Sequence, residues 1–278
     1  MSGFEAAELK LLTDLIQERF GLTFQGIRLE ILASKLKPRL RELHLGSVRD
    51  YYHYLRFHPE REQEIARLPA MVTNNETYFF RETHQFDRLI QHVIPERRGQ
   101  LGTRPLRILS AGCSSGEEPY SLAIALSNAG LPLAGVSWEI DACDLNPERI
   151  ARAREALYPE SSLRACDAET RRRYFIEEPG GLRLKERYRK GVRFFPANLL
   201  APNGALGWAV YDAILCRNLL IYVSEAAFDR VIGLFARSLV PGGYLFLGHS
   251  ESLLDRPSAF VPAMLGGAVA YRKLEAAA

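Results

Sequence analysis

The sequence predicts an α/β protein in which a helical N-terminal domain precedes a doubly wound, mostly parallel β-sheet. Three observations predict this fold. Apolar residues recur at helical spacing through the first third of the chain, where strand patterns are scarce. After Gly102, short apolar runs alternate with helical segments, which is the order that builds a parallel sheet. Residues 174–193 interrupt this alternation, so we expect them to form a small inserted antiparallel β-subdomain.

Length and composition favour two globular domains. The 278 residues are 47% hydrophobic and 25% charged, which is close to the average for soluble globular proteins. Because the chain is long for one compact domain, we assign residues 1–91 to the helical domain with its linker and residues 92–278 to the sheet domain.

Charge and cysteine usage exclude several classes of protein. The formal net charge of +3 is too small to predict a nucleic-acid partner. The four cysteines are widely separated, without the close pairs of zinc or redox motifs, so we expect reduced thiols. No apolar stretch approaches the roughly 20 residues of a membrane-spanning helix, and the start lacks the pattern of a secretory signal. We therefore expect a cytoplasmic protein that is not inserted in a membrane.

The helices of the N-terminal domain have recognisable ends. The first carries apolar residues up to Phe20 and is predicted to end at Gly21. The second is predicted at about 28–43. The third begins after Ser47, whose hydroxyl can cap the helix while Asp50 completes an arrangement similar to a capping box.

The sheet domain shows the strand and helix alternation directly. Helical patterns occupy 119–128 and 225–239, and the second of these is closed by residues 241–243. Another helix starts at Asn146 and Pro147, a favoured cap followed by a favoured first residue. Short apolar runs predict strands at 106–110, 136–143, 191–195, 211–216 and 244–248.

The loop 111–116 after the first strand is a candidate ligand site, because doubly wound sheets bind ligands beyond the carboxyl ends of their strands. Its glycine spacing is not that of a dinucleotide fingerprint. Glu117 and Glu118 occupy the start of the next helix. A pyrophosphate bound there would need free amide donors and the positive end of the helix dipole, so the two carboxylates would repel it. A phosphate-free adenosine ligand of positive character, such as S-adenosylmethionine, is compatible with both glutamates. The alternative is that they are ordinary first-turn acids.

Asp144 stands at the end of the second predicted strand, beside the first loop. A carboxylate at this position can accept two hydrogen bonds from ribose hydroxyls. The alternative is a purely structural acid at the N-terminus of the next helix. The loop and the acid together favour an adenosine-containing ligand.

Four segments in this order, at 73–82, 110–121, 216–222 and 248–251, resemble the chemotaxis receptor methyltransferase family, CheR. The resemblance extends over nearly the whole chain. It implies a helical N-terminal domain joined to a class I S-adenosylmethionine-dependent methyltransferase domain with a small inserted antiparallel β-subdomain. It further implies that the protein methylates glutamate side chains in the cytoplasmic helical region of chemoreceptors, forming methyl esters, and acts as a monomer.

The resemblance also implies the site residues. Arg81 is expected to pair with the methionine carboxylate of the cofactor, a task that suits the planar fork of arginine. Tyr222 is expected near the methyl group, and these two residues are the candidate catalytic pair. Asp144 is expected to hold the ribose. The other candidate cofactor-binding residues are Asn75, Thr77, Glu117, Glu118, Asn198, Leu199, Arg217 and Asn218. The residues do not decide which of the two glutamates contacts the cofactor.

The implied reaction needs neither a general base nor a metal, because a glutamate with a pKa of about 4.3 is already ionised at neutral pH. His249 therefore reads as part of an ordinary loop after a strand, although it resembles the start of a catalytic array. Two alternatives remain open. One is that the same domain methylates another substrate. The other is that the protein is a cofactor-binding receptor regulator with weak catalysis.

Receptor docking is predicted on the second helix. Lys35, Arg39 and Arg41 carry positive charge that could steer a glutamate-rich receptor helix, and the alternative is a solvated helix face. Some members of the resembling family also grip a C-terminal receptor peptide on the inserted β-subdomain. The turn at 177–182 is short and lacks the insertion that those members carry, so we expect no dependence on such a pentapeptide.

Overall fold

The structure, a computed structural model, describes residues 4–73, 76–131, 135–201, 206 and 210–274. Residue contacts divide the chain into two compact units. The first contains Met1–Asn74 and Ile221–Val231, and the second contains Asn75–Leu220 and Ile232–Ala278. The segment from residue 75 to residue 91, which the sequence-based division grouped with the helical domain, thus belongs to the second unit.

The first unit is helical. Its helices α1 to α4 are Ala6–Phe20, Ile27–Glu42, Val48–Phe57 and Arg61–Val72. α1 ends at Gly21, which has a left-handed φ of 73°, as predicted. The side chain of Ser47 accepts a hydrogen bond from the Asp50 amide at 3.1 Å, which confirms the predicted cap of α3. The fully buried residues of this unit include Leu12, Ile16, Leu32, Leu36, Tyr51 and Leu55.

The second unit is built on a seven-stranded sheet. Its strands are β1 (Leu106–Ala111), β2 (Trp138–Asp144), β6 (Val192–Pro196), β7 (Tyr211–Cys216), β8 (Leu239–Leu247), β9 (Phe260–Leu265) and β10 (Ala268–Lys273). Their order is β6-β2-β1-β7-β8-β10-β9. All neighbours from β6 to β8 are parallel, and β10 is antiparallel to both β8 and β9. The predicted doubly wound, mostly parallel sheet is confirmed.

The remaining helices are α5 (His84–Arg88), α6 (Ile94–Leu101), α7 (Glu117–Asn128), α8 (Pro147–Glu155), α9 (Ala168–Tyr174) and α10 (Glu225–Ser238). Of these, α5 and α6 precede β1 and the others follow strands. The Asn146 side chain accepts hydrogen bonds from the amides of Glu148 and Arg149, so the predicted cap of α8 is confirmed. The unit boundary after Val231 falls inside α10. None of the helices in the described ranges is long and apolar enough to cross a membrane.

A separate antiparallel sheet confirms the predicted β-subdomain. It has the order β3-β5-β4, with β3 at Leu157–Tyr158, β4 at Phe175–Glu178 and β5 at Gly181–Leu184. The hairpin was expected, whereas the two-residue strand β3 was too short to give a sequence pattern. A Cβ at Gly181 would lie 2.3 Å from the carbonyl oxygen of Tyr158, so the close pairing of β5 with β3 requires glycine.

The structure differs from the expectation at the end of α10. Residues 241–243 were expected to separate the helix from the last predicted strand, but β8 already begins at Leu239. Leu239 pairs with Tyr211, and the next pair in register is Tyr244 with Ala213. The residues between these pairs bulge out of the ladder, which explains how a Pro-Gly-Gly sequence can lie inside a strand.

Candidate cofactor site

The loop between β1 and α7 is a tight turn that depends on glycine. Gly112 and Gly116 have positive φ values of 81° and 92°. A Cβ on Gly116 would also lie 2.9 Å from the Cβ of Ala153 and 3.1 Å from the ring of Phe194. The loop can therefore approach α8 and β6 only with glycine at this position.

Backbone amides of this loop are engaged by β2. The amides of Gly112 and Cys113 donate to the Cys143 carbonyl at 2.8 and 3.0 Å. The amide of Ser114 donates to Oδ2 of Asp144 at 2.8 Å. Since phosphate binding at such a turn relies on free amide donors, this geometry agrees with a ligand that carries no phosphate.

Asp144 lies in a buried position at the end of β2. Its Oδ1 accepts from the Asn146 amide at 2.8 Å, so part of its role is the structural one considered above. Burial raises the pKa of the Asp144 carboxyl, and the amides of Asn146 and Ser114 partly oppose that rise. A carboxylate offers about four acceptor positions, so two amide bonds leave acceptor capacity for ribose hydroxyls. Ribose contact stays a prediction.

Glu117 and Glu118 point into different surroundings. The Glu117 side chain is buried and accepts from the hydroxyls of Ser115 and Ser162 at 2.9 and 2.8 Å. Burial raises the pKa of the Glu117 carboxyl. Glu118 instead accepts from Ser110 Oγ and from Arg217 Nε, each at 2.6 Å.

A cavity of about 480 Å³ opens beside Glu117. Thr77 and Ser115 line it together with Glu117, and Arg149 and Arg164 contribute positive charge to its wall. It therefore contains two of the predicted cofactor residues, Thr77 and Glu117. Asp144 and Arg81 are not part of its lining.

Arg217 links three segments of the second unit. Besides its ion pair with Glu118, it donates to the Arg81 carbonyl at 3.0 Å and to the Glu82 carbonyl at 3.1 Å. Its guanidinium carbon also lies 5.0 Å from the centre of the Phe86 ring. Only 2% of its side chain is exposed. These contacts hold the backbone on which Arg81 is carried, and a direct contact between Arg217 and the cofactor stays a prediction.

The Arg81 side chain is less constrained than that of Arg217. It donates to the Glu76 carbonyl at 3.3 Å and lies 3.9 Å from a Glu82 carboxylate oxygen. About a quarter of the side chain is exposed (24%), so its guanidinium is accessible to a ligand.

Strained backbone and buried polar atoms without hydrogen bonds occur around these residues. Phe80, Glu82, Ser114 and Asn218 are not glycines, yet they have φ values of 62°, 51°, 48° and 57°. Within the described ranges, Ser114 Oγ and Glu82 Oε2 are buried and lack a hydrogen-bond partner. Buried polar atoms are normally hydrogen-bonded in proteins, so Ser114 Oγ retains hydrogen-bonding capacity beside the first turn, whereas Glu82 Oε2 lies 3.9 Å from Nη1 of Arg217.

Asn198 and Leu199 follow β6 beside Asp144. The Ala197 amide donates to the Asp144 carbonyl at 2.9 Å, which brings the start of this segment to the end of β2. The Asn198 side chain accepts from the Leu200 amide at 3.0 Å and so shapes the loop. Asn75, another predicted cofactor residue, lies outside the residues that the structure describes.

Tyr222 lies in the first unit. Its carbonyl accepts a hydrogen bond from the Thr23 amide at 2.9 Å, and the guanidinium carbon of Arg28 lies 4.6 Å from the centre of its ring. Burial lowers the pKa of Arg28, while the neighbouring Tyr222 opposes this. The catalytic role of Tyr222 stays a prediction from the resemblance.

The predicted docking residues on α2 differ in their surroundings. Arg39 forms a part-buried ion pair with Glu64, whose carboxylate also accepts from the Tyr51 hydroxyl at 2.7 Å. Lys35 donates to the Met71 carbonyl at 2.9 Å. Arg41 is exposed. The geometry thus favours a structural role for Arg39, and docking by the three residues stays a prediction.

Glu251 was not among the predicted site residues. In the segment 248–251 only the histidine was considered, whereas the buried carboxylate of Glu251 accepts four backbone hydrogen bonds. The presence of a glutamate in a motif shared with the resembling family was the signal that could have drawn attention to it. His249 is 70% exposed at its side chain and contacts Glu82.

A doubly wound sheet with a glycine-dependent first turn and an acid at the end of the second strand fits a class I methyltransferase domain, and the family match identifies it as one. The chain belongs to the CheR methyltransferase family. The all-alpha domain of that family matches residues 7–68, and its SAM binding domain matches residues 75–265.

Curated relatives resemble most of the chain. The "Chemotaxis protein methyltransferase 2" of Vibrio cholerae is 34% identical over 252 residues, which is 89% of this chain and 86% of the relative. The "Chemotaxis protein methyltransferase" of Escherichia coli is 34% identical over 253 residues, with 88% and 84% covered. The "Probable biofilm formation methyltransferase WspC" of Pseudomonas putida is 35% identical over 94% of this chain. The chain spans 60% of that relative and 56% of the WspC of Pseudomonas aeruginosa.

Proposed function

We propose that this protein transfers the methyl group of S-adenosylmethionine to glutamate side chains of chemotaxis receptors and forms glutamate methyl esters. The observation that carries the proposal is the match of both CheR domains to one chain, in which buried carboxylates surround the first turn of the sheet. Glu117 and Asp144 suit a ligand with positive groups and ribose hydroxyls. The proposed receptor surface is a cytoplasmic helical region, and we propose that the enzyme is a cytoplasmic monomer.

The cofactor, when bound, supplies an activated methyl group on a sulfonium. The protein's own residues then have two tasks. Arg81 is proposed to hold the methionine carboxylate, because its guanidinium is accessible while Arg217 fixes its backbone. Glu118 and Glu82, which lie beside Arg217, add negative charge near the cationic part of the cofactor.

Catalysis by this site is proposed to rest on alignment. The acceptor glutamate is already ionised at neutral pH, so no residue has to remove a proton from it. Holding the acceptor oxygen in line with the methyl group and excluding water lower the barrier instead. A metal has no task in this mechanism. Within the described ranges, no group of three His, Cys, Asp or Glu side chains is placed to hold a metal ion.

A second candidate is the same reaction in a pathway with another output. The similarity to the WspC proteins, named for biofilm formation, favours this candidate, and the substrate would again be a receptor glutamate. Methylation of receptor preparations from motility and biofilm pathways, measured side by side, distinguishes the two.

The decisive experiment combines binding with transfer. Calorimetry should show one S-adenosylhomocysteine site per chain in the presence of a chelator. Receptor membranes incubated with the enzyme and tritiated cofactor should acquire label that base releases as methanol, the signature of a methyl ester. Binding without transfer to any receptor would favour the regulator alternative, and label resistant to base would indicate another acceptor group.

We also propose that exposed cations on α2 steer the receptor. Because Arg39 supports the Glu64 pair, neutralising Lys35, Arg39 and Arg41 together would confuse docking with stability. The sharper variant is Lys37→Gln with Arg41→Gln, both exposed. It should lower receptor methylation at low salt and leave cofactor affinity intact. Lys10→Gln, an exposed cation on α1, is the control, and an equal loss in both variants would contradict steering.

Independence of a receptor C-terminal pentapeptide is the last part of the proposal. The β4–β5 connection contains only Pro179 and Gly180, which leaves little room for an added peptide backbone. Titration with C-terminal receptor peptides should show no binding in the micromolar range, which corresponds to about −8 kcal/mol. Binding that is weakened by substitution of Arg183 would contradict this part alone.

A further inference from the structure

In the loop after β7, consecutive backbone amides all donate hydrogen bonds to a single side chain. Asn218 has a left-handed φ of 57°, and Leu220 begins a short 3-10 turn. Consecutive amides in such a conformation converge on one point and form a concavity that binds anions. Here the amides of Asn218, Leu219 and Leu220 all point at the carboxylate of Glu251.

The Glu251 carboxylate accepts three of these hydrogen bonds from the loop after β7 and one from Gly248, two at each oxygen. Its Oε1 accepts from Leu219 at 2.9 Å and from Leu220 at 2.6 Å. Its Oε2 accepts from Asn218 at 3.0 Å and from Gly248 at 2.7 Å. Glu251 is buried, and hydrogen bonds from amides to a charged acceptor are stronger than neutral ones.

The close approach of the two loops depends on Gly248. A Cβ at this position would lie 2.8 Å from the Asn218 amide nitrogen and 2.8 Å from Oε2 of Glu251. The glycine therefore leaves the space in which the carboxylate reaches the loop after β7. The amide of Glu251 donates back to the Gly248 carbonyl at 2.9 Å and closes the turn.

We infer that Glu251 is a positioning residue for methyl transfer, which acts by fixing the strained loop that carries Arg217 and Asn218. Arg217 in turn donates hydrogen bonds to the Arg81 and Glu82 carbonyls. The loop held by Glu251 is therefore connected to the segment proposed to bind the methionine carboxylate. A reaction that depends on alignment is sensitive to small displacements of such segments. The inference rests on the proposed cofactor site.

The test compares two buried carboxylates of the same unit. Glu251→Gln keeps the shape but replaces one acceptor oxygen with an NH2 group that faces amide donors. Asp212→Asn is the control, because Asp212 lies in β7 and is bound by the Arg97 and Arg104 side chains and the Arg107 amide. Affinity for S-adenosylhomocysteine is measured by calorimetry at a temperature at which circular dichroism shows both variants folded.

We expect Glu251→Gln to raise the dissociation constant at least tenfold and to lower kcat for receptor methylation, while Asp212→Asn lowers Tm with less than a twofold change in affinity. Glu251→Asp, which keeps the charge, should recover part of the affinity, and it replaces the glutamine variant if that variant does not fold. Unchanged affinity in the folded Glu251 variants, or an equal loss in Asp212→Asn, overturns the inference. Failure of the wild-type protein to bind would instead refute the proposed function.

Discussion

The two ends of β7 differ in the surroundings of their buried charged residues, Asp212 and Arg217. At the start of the strand, Asp212 is bound by the side chains of Arg97 and Arg104 and by the Arg107 amide. Just beyond its end, Arg217 is equally well paired, but two residues with left-handed backbone, Glu82 and Asn218, adjoin it.

This difference separates stability from function within one sheet. The oxygens of the Asp212 carboxylate are already hydrogen-bonded to arginine side chains and to an amide, so this carboxylate supports the fold and has no part in ligand binding. Left-handed backbone at residues other than glycine is tolerated only where the surrounding structure holds it, and such strain is concentrated at functional sites. The carboxyl end of the sheet is therefore where we expect substitutions to change binding, whereas at the opposite end they should change stability alone.

The largest expected effect is the loss of Arg217. Arg217→Ala leaves the Glu118 carboxylate without its guanidinium, and breaking a buried pair costs about 3–5 kcal/mol of stability. Urea denaturation should show this loss. The milder Arg217→Lys keeps a charge but not the planar fork, so it should fold and bind S-adenosylhomocysteine more weakly.

Arg97→Lys is the matched control for that variant. It alters the buried arginine at the other end of β7, where Arg104 still pairs with Asp212. We expect some loss of stability and no change in affinity. If Arg97→Lys weakens binding as much as Arg217→Lys does, the two ends of the strand are not functionally distinct.

A smaller effect is expected at the end of β2. Asp144→Ala should weaken S-adenosylhomocysteine binding by about 1.5–3 kcal/mol, the usual range for hydrogen bonds to a charged group. Asp141→Ala is the control, because Asp141 is a buried carboxylate in the same strand that pairs with Arg107 and Arg193. Calorimetry of both variants decides the matter, and equal affinities for wild type and Asp144→Ala would remove Asp144 from the site.

The elements of this sheet could be predicted from sequence because their physical causes are local. Gly21 ends a helix and Asn146 caps one through contacts within a few residues, so composition and spacing suffice. The strand β3 escaped prediction because two residues carry no periodicity, and the bulge in β8 because its cause is pairing with Tyr211 far away in sequence.

The site residues were proposed from equally local evidence, and their roles stay predictions. Asp144 follows a strand at the position where a ligand acid is expected, and the resemblance supplied Arg81 and Arg217. The different surroundings of Glu117 and Glu118 could not be read from the sequence, because Ser162 and Arg217, their distinguishing partners, lie 45 and 99 residues away. Glu251 escaped because its partners are backbone amides, which have no sequence signature.

Acidic pH should separate ligand affinity from stability at the Asp144 end of the sheet. Burial raises the pKa of Asp144 above 3.8, so the folded protein holds this proton more tightly than the unfolded chain does. The resulting contribution to stability is present at low pH and is lost as the pH rises through the raised pKa. Binding should change in the opposite direction, since a protonated carboxyl is a poorer acceptor for ribose hydroxyls.

Calorimetry from about pH 7.5 down to about pH 5 should show affinity falling with pH, because the raised pKa of Asp144 brings its protonation toward this range. Asp144→Asn should flatten this dependence. A fall of the same size in that variant would assign the titration to another group, and Glu117, whose pKa burial also raises, would be the next residue to substitute.

The smallest effect is expected at His249, which adjoins a position where the effect should be large. Its side chain is 70% exposed and its contact with Glu82 is a surface pair, so His249→Ala should change stability by no more than about 0.5 kcal/mol and leave receptor methylation near the wild-type rate. Gly248→Ala, one residue earlier, places a Cβ against the Asn218 amide and the Glu251 carboxylate and should impair binding. Methylation assays on the two variants compare an exposed side chain with a buried backbone contact in the same loop. A strong loss in His249→Ala would show that the exposed imidazole takes part in the reaction, and catalysis would then include a proton-transfer step besides alignment.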